Sequence, residues 1–358
     1  MVIMSTAENK KGFSGLINMG NTSYLNAVWQ CLANDLDFTV KLLAIDTNKY
    51  LGNDYSDLLS CFQKLIDGMW RENRIIRPTS MKRSLNFNFA QYTDPKVYHD
   101  ANKFFYEFLE ALRISTAERY VSVDVLNVSS THYKASVKEW RSVLKDKKSF
   151  ISDHFYGQYR KKFTCVVCGK VEFSYQLFSS MVLSIGTKPE ENVNSLLNLH
   201  FKDDVVQMKC SCNGDTVDSE IEDNEEGGVV DNTAWGGRGK EEHSVSIWIT
   251  RLPETLVITL DRFNDNNPRS ATPIEIAENL DFSDYVISNS NESVKYSLTS
   301  ILCHRGGNLD HGHYYSFIVR NGGYIFNDDK VYKFPFEKLN STEPYMLFYK
   351  KLGSKKDT

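Results

Sequence analysis

The strongest constraint on the fold of this chain is a change of hydrophobic period near residue 150. Before it, apolar side chains recur at helical spacing, first at Tyr24, Leu25, Val28, Trp29 and Leu32. The same spacing returns at Tyr55, Leu58, Leu59, Phe62, Leu65, Ile66 and Met69, and again at Ala101, Phe104, Phe105, Phe108, Leu109 and Leu112. Trp140 with Leu144 marks a shorter segment of the same kind. After Phe150, alternating β-branched and aromatic runs take over: Lys162 to Val166, Val171 to Leu177, Thr255 to Phe263, Tyr296 to Cys303, His313 to Val319, Tyr324 to Phe326 and Tyr345 to Tyr349. Helices first and strands afterwards predict an α+β architecture rather than a parallel βαβ fold. With 358 residues, 41% of them hydrophobic, the chain can bury a sizeable core.

Three stretches fall outside this pattern. Residues 1–12 read as a polar leader and 353–358 as a polar tail. Residues 213–243, NGDTVDSEIEDNEEGGVVDNTAWGGRGKEEH, are acidic, glycine-rich and nearly free of apolar periodicity, so they read as an exposed, mobile insertion. A net charge of -4 argues against a broad nucleic-acid surface. The chain contains neither a run of eighteen apolar residues nor the apolar stretch of a signal peptide, so no membrane partner is expected. The seven cysteines form two close pairs and three singles among apolar residues, which reads as reduced thiols plus a candidate metal site. That pattern predicts a cytoplasmic and/or nuclear protein.

Two distant regions carry groups suited to catalysis. Gly15 to Leu32, GLINMGNTSYLNAVWQCL, is a glycine-punctuated loop running into a helix. Ser23 sits at the junction, where unpaired amides and the helix dipole favour negative charge. Such a place lowers a thiol's pKa and does far less for a hydroxyl. Taken alone, Ser23 reads as a helix N-cap. The second region runs from His304 to Phe334, HRGGNLDHGHYYSFIVRNGGYIFNDDKVYKF. His313 opens a strand there, and Asn327 with Asp328 follow an aromatic run. A nucleophile at a helix start, a histidine on one strand and an Asn or Asp on the next follow the logic of an acyl-transfer triad. Asn327 and Asp328 equally suit a turn, and eight histidines allow many other combinations.

Residues 15–32 resemble the cysteine box of the ubiquitin-specific proteases, roughly GLxNLGNTCYxNxxLQxL. Residues 296–334 resemble that family's histidine box. Phe155 with Gly157, Cys165 and Cys168, LPETLVITLDRF (Leu252 to Phe263) and a late YMLFY match in order, so the likeness spans residues 13–350. The resemblance implies a papain-like right hand in one catalytic domain, 13–352. Its helical thumb would occupy about 13–150, the fingers and part of the palm 151–255, and the rest of the palm 256–352. It also implies a deubiquitinating thiol isopeptidase that cleaves after the C-terminal glycine of ubiquitin.

Carried over position by position, Ser23 stands where the catalytic cysteine belongs. His313 matches the general base, Asn327 its orienting partner, and Asp328 an assisting acid. Asn18 matches the side-chain donor of the oxyanion hole. In YHDANKFF, Asp100 matches a substrate-binding acid, Tyr98 and His99 stand near the usual glutamines, and Lys103 replaces a glutamate. That reversal predicts a weaker hold on ubiquitin's arginine-bearing tail, or preference for another ubiquitin-like modifier. Cys165-x-x-Cys168 and Cys210-x-Cys212 are expected to hold a structural zinc. The second pair is one residue short of the usual spacing, so a metal-free ribbon or a substitute for one thiol stays open. Cys31, Cys61 and Cys303 read as core, and His304 as structural.

Ser23 leaves three readings. The first is a cysteine enzyme whose nucleophile is replaced, leaving an inactive form that still binds ubiquitin. The second is a natural pseudo-protease acting as a binding module. The third, a serine hydrolase, is disfavoured because a hydroxyl cannot be held ionised as a thiol can. The intact Asn18, His313, Asn327 and Asp328 favour the first.

Overall fold

The structure is a computed structural model and describes residues 11–71, 73–92, 94–120, 131–186, 188–210, 240–263, 269–287, 294–308 and 311–353. The helices are α1 Ser23–Asn34, α2 Leu36–Ala44, α3 Ser56–Arg71, α4 Thr79–Asn88, α5 Ala101–Ser115, α6 Thr131–Val143, α7 Phe150–Phe155 and α8 Val193–His200. Local chemistry starts several of them. Asp35, Asp100, Ser149 and Asn192 each accept a hydrogen bond from an amide in the first turn of α2, α5, α7 and α8. The amphipathic α3 buries Leu58, Leu59, Phe62, Leu65, Ile66 and Met69 along one face. Every residue of α1 is buried, so this helix forms the axis of the helical half.

The strands are β1 Glu118–Arg119, β2 Lys147–Lys148, β3 Gly157–Cys165, β4 Val171–Phe178, β5 Met181–Ser184, β6 Glu191–Asn192, β7 Asp204–Lys209, β8 Lys240–Arg251, β9 Thr255–Asp261 and β10 Ile274–Glu275. They continue with β11 Asn279–Asp281, β12 Lys295–Asn308, β13 His311–Ile318, β14 Tyr324–Asn327, β15 Lys330–Lys333 and β16 Pro344–Lys351. The main sheet has the order β15-β14-β13-β12-β16-β9-β5, with β11 beside β12. It is antiparallel except where β5 meets β9. A second sheet, β4-β3-β8-β7, carries Cys165 at the end of β3, with Cys168 and Cys210 beside it.

Both faces of the main sheet are covered, so its central strands are continuously apolar. Val257, Leu302, Met346 and Phe348 pack against the helices. Leu256, Ile258, Ile301, Leu347 and Tyr349 point the other way, into a second core with Leu196 and Leu197 of α8. The first core holds Trp29, Phe38, Phe62, Phe104, Phe105 and Phe108, all fully buried. Each such side chain contributes roughly 2–3 kcal/mol of transfer free energy.

The α+β expectation holds, and the structure adds α2, α4, α7 and α8 to the helices legible in the sequence. Two boundaries are corrected. Residues 240–243, read as the end of the acidic insertion, open β8, whose ends pair with β3 and β7. That sheet is exposed enough for charged residues to alternate along it. Lys11 and Gly12, read as leader, are tied down by Arg320 Nη2, which donates to their carbonyls at 2.8 and 3.0 Å. Residues 1–10 and 211–239 lie outside the described residues, as does the tail from 354. Among the described residues, no helix is long and apolar enough to cross a membrane.

Candidate active site and cysteine cluster

Ser23 is the first residue of α1, and the N-cap position belongs to Thr22. Thr22 Oγ1 accepts a hydrogen bond from the Met19 amide at 2.8 Å and donates to Asn18 Oδ1 at 3.2 Å. Asn18 Oδ1 also accepts from the amides of Gly20 and Thr22, at 3.0 and 3.2 Å. The loop is tight: Gly20 has φ +95° and Asn21 +45°, the left-handed region that costs a residue with a Cβ. The N-cap reading of Ser23 is therefore corrected. Its hydroxyl is turned across to the sheet, where Oγ accepts from the Tyr314 amide of β13 at 3.2 Å.

His313, one residue earlier on β13, lies with Nε2 2.6 Å from Oδ1 of Asn327 at the end of β14. An amide oxygen accepts, so this contact places the proton on Nε2 and leaves Nδ1 as the lone-pair nitrogen. Asp328 follows at φ +53° and ties the site together. Its Oδ2 accepts from Asn18 Nδ2 at 3.0 Å and its Oδ1 from Asn26 Nδ2 at 2.8 Å. Its backbone carbonyl accepts from the Leu16 amide at 2.8 Å, and Oδ2 lies 3.8 Å from His313 Nε2. Thus Ser23, His313, Asn327, Asp328 and Asn18, from sequence positions up to 310 residues apart, converge on one site.

Residues 14–349 match the ubiquitin carboxyl-terminal hydrolase family. The chain belongs to that family. Ubiquitin carboxyl-terminal hydrolase Usp2 of Drosophila melanogaster is 27% identical, over 97% of this chain and 36% of its own length. Human ubiquitin carboxyl-terminal hydrolase 2 is 25% identical, over 96% of this chain and 56% of its own. The chain thus spans about a third to just over half the length of these relatives. Among solved structures, a chain of the SAGA DUB module of Ubp8, Sgf11, Sus1 and Sgf73 bound to monoubiquitin has the same fold. Its TM-score is 0.69 at 18% identity, covering 97% of this chain and 71% of that one. Within the ubiquitin-specific protease family, this chain carries serine at position 23 of the cysteine box set out above.

Two buried polar residues that join the same cluster were not singled out from the sequence. Asn26 also donates to the Leu16 carbonyl at 3.2 Å, and Gln30 Nε2 donates to the Ser14 carbonyl at 2.7 Å. The signal was in the cysteine-box pattern itself, which carries Asn and Gln at these two positions, i and i+4 on the helix. Asp100 serves inside the protein. Its Oδ1 accepts from the Lys103 amide at 2.7 Å and its Oδ2 from the Tyr345 hydroxyl at 2.5 Å. Burial holds its carboxyl above the usual range despite those bonds. Lys103 is exposed. His304 is fully buried, packed on Phe263 and Tyr314, with neither ring nitrogen partnered among the described residues. Burial first, then the Arg269 charge, pushes its pKa down to about 4, so the ring is neutral.

The sulfurs of Cys165, Cys168 and Cys210 lie within 4.8 Å of one another, with Cys168 and Cys210 at 3.5 Å. The turn between the first two is a knuckle: the Cys165 amide donates to Lys170 O, the Gly169 amide to Cys165 O, both at 2.9 Å, and Gly169 has φ +71°. Hydrogen bonding from the Cys168 amide, foremost, draws the Cys165 thiol down to about 6. Converging, readily ionised thiols on a knuckle suit a tetrahedral zinc, so the cluster fits that metal. Cys212, the fourth expected ligand, lies outside the described residues. Cys31 and Cys303 are buried, and Cys61 is half-buried against the helical core. Burial pushes the Cys303 thiol up to about 12 and the Cys31 thiol also upward.

Proposed function

We propose that this chain is a deubiquitinating hydrolase domain that receives the C-terminal tail of ubiquitin, with Ser23 in the nucleophile's position and little or no turnover in this form. The observation that carries the reading is the 2.6 Å His313–Asn327 pair beside a residue at a helix start. With sulfur at position 23, His313 Nδ1 would take the thiol proton, and the thiolate would attack the carbonyl of ubiquitin's last glycine. The oxyanion would be met by the position-23 amide and by the Asn18 side-chain amide, which Asp328 orients. The imidazolium then protonates the departing lysine amine, leaving a thioester. His313 next deprotonates a water, whose attack releases ubiquitin's carboxylate and restores the thiol. Serine lacks the first step, since its hydroxyl cannot be held ionised beside imidazolium. Its described hydrogen bond, accepted from the Tyr314 amide, supports that reading.

Cys165, Cys168, Cys210 and Cys212 would hold a structural zinc that fixes the far end of the second sheet. A second reading, a non-catalytic binding module for ubiquitin or a ubiquitin-like modifier, is favoured by Ser23 itself and by Asp100's engagement within the protein. Labelling of the Ser23→Cys protein by electrophilic C-terminal probes separates the two. The hydrolase reading expects covalent labelling by the ubiquitin probe, absent in the Ser23 protein and after His313→Ala. A folded Ser23→Cys protein that no ubiquitin or ubiquitin-like probe labels would leave the binding module.

A further inference from the structure

Helix α6 lies with one side along the second sheet. Tyr175 Oη of β4 donates to the His132 carbonyl at 3.2 Å, and Ser136 Oγ donates to Gln158 Oε1 of β3 at 2.5 Å. Its other side carries Lys134, Lys138 and Arg141, neighbours at i, i+4 and i+7, and Lys145 continues the stripe past the helix end. With Val137 and Asp146 these four line an open groove of about 660 Å³. From Lys134 to Lys148 the sequence sets six basic residues against Glu139 and Asp146, in a chain of net charge -4. Asp146 is occupied by Arg141 Nε at 2.7 Å. Lys134, Lys138 and Lys145 are exposed and make no ion pair among the described residues. The backbone and the adjoining hairpin hold this charge together at a cost. Lys145 and Asp146 take φ +52° and +56°, consecutive left-handed residues that carry a Cβ. Arg119 and Lys147 stand directly opposite each other across β1 and β2, a like-charge pair that destabilises a ladder.

We propose that this groove is a docking site for an acidic polypeptide segment, bound extended and carrying Asp or Glu at alternate positions. Alternate residues of an extended chain are about 6.6 Å apart, close to the 5–6 Å between successive cations on the helix. Carboxylates on one side of the segment therefore meet those cations in turn, and the half-buried Val137 gives their stems an apolar contact. Nucleic acid fits less well. No aromatic side chain lines the groove to stack a base, and the overall negative charge of the protein repels a dense polyanion. None of these residues belongs to the Ser23–His313 site, so docking here holds whichever reading of that site stands.

The test is fluorescence anisotropy of the full chain with a fluorescein-labelled peptide of alternating Glu and Ala, about ten residues long. Binding is expected, with Kd weakened at least about tenfold in the Lys134→Glu/Lys138→Glu/Lys145→Glu variant. Raising NaCl from about 0.05 to 0.5 M should weaken it by a similar factor. A peptide of alternating Lys and Ala should not bind, and Lys338→Glu, a reversal outside the groove, should leave Kd unchanged. The three lysines are exposed, so the triple variant should keep its circular dichroism and urea midpoint. Should it not, Lys134→Gln and Lys138→Gln remove charge without reversing it, and each is expected to weaken Kd about two- to threefold. Failure of the acidic peptide to bind, or equal affinity in the triple variant, would overturn the proposal. So would a loss in Lys338→Glu as large as in the triple variant. A single-stranded oligonucleotide of equal length held more tightly than the peptide would overturn the polypeptide as occupant.

Discussion

Replacing Asp328 by alanine should be among the most damaging single changes at the site, and its cost can be worked from two hydrogen bonds and one backbone angle. The carboxylate accepts from Asn26 Nδ2 at 2.8 Å, and Asn26 is 2% exposed. A hydrogen bond to a charged acceptor contributes roughly 1.5–3 kcal/mol, and the shielded Asn26 bond belongs near the middle of that range, at about 2 kcal/mol. The bond from the exposed Asn18, at 3.0 Å, counts for less, about 0.5–1 kcal/mol. Alanine at φ +53°, where Asp is better tolerated, adds roughly 1 kcal/mol. The total is about 4 kcal/mol. Asp328→Asn keeps one acceptor oxygen and the tolerance for positive φ, so it should cost about 1–2 kcal/mol. Asp328→Gly removes the backbone penalty and should recover roughly 1 kcal/mol relative to alanine. Urea unfolding with an unchanged slope measures all three. Equal losses for Ala and Asn, or an Ala variant within about 1 kcal/mol of the parent, would refute the view of Asp328 as the tie between loop, helix and histidine.

Three further outcomes follow from the same structure. His304, with its pKa held near 4 against about 6.5 when unfolded, refuses a proton that the unfolded chain accepts. Stability should therefore be full above pH ~6.5 and fall by roughly 3 kcal/mol as pH drops toward 4, a slope that His304→Asn should flatten in urea melts. An unchanged slope would refute it. Arg262 is 1% exposed and donates to the carbonyls of Pro344, Ser270, Thr272 and Ser341, a planar fork that lysine cannot reproduce. Arg262→Lys should cost about 3 kcal/mol by thermal or urea unfolding, and a loss under about 1 kcal/mol would contradict that role. Native mass spectrometry should find one zinc per chain, lost with Cys165→Ser; a metal-free native protein would contradict the zinc reading.

The parts of this architecture that were legible in the sequence are those where burial imposes a period. The stripes of α3 and α5 face a single core, so their spacing gave both helices. β9 and β16 are buried on both faces and read as apolar runs. α2 and α4 were missed because each buries only a few residues: Phe38, Thr39 and Leu42 in one, Met81, Ser84 and Leu85 in the other. β8 begins with Lys240, Glu241 and Glu242, whose charges conceal a strand that only its neighbours in the sheet define. At the site, motif matching brought Asn18, Ser23, His313, Asn327 and Asp328 forward, but not how they are joined. The Tyr314 amide on Ser23, the Asn26 amide on Asp328 and the Tyr98–His311 stack all link positions far apart in the chain. Local pattern holds no record of such contacts. The same limit explains the N-cap reading of Ser23: a helix start is visible in sequence, but a strand that draws the hydroxyl away is not.

The central claim is that this site lacks only a thiol. The direct measurement is kcat/KM of the Ser23→Cys protein on a ubiquitin C-terminal fluorogenic amide, beside the Ser23 protein and the Ser23→Cys/His313→Ala double variant. The account predicts turnover in the thiol form alone, with a rise of at least about a thousandfold over the serine form, the scale on which activated nucleophiles act. A folded thiol form no faster than its serine parent, or a serine form that already turns over, would contradict it.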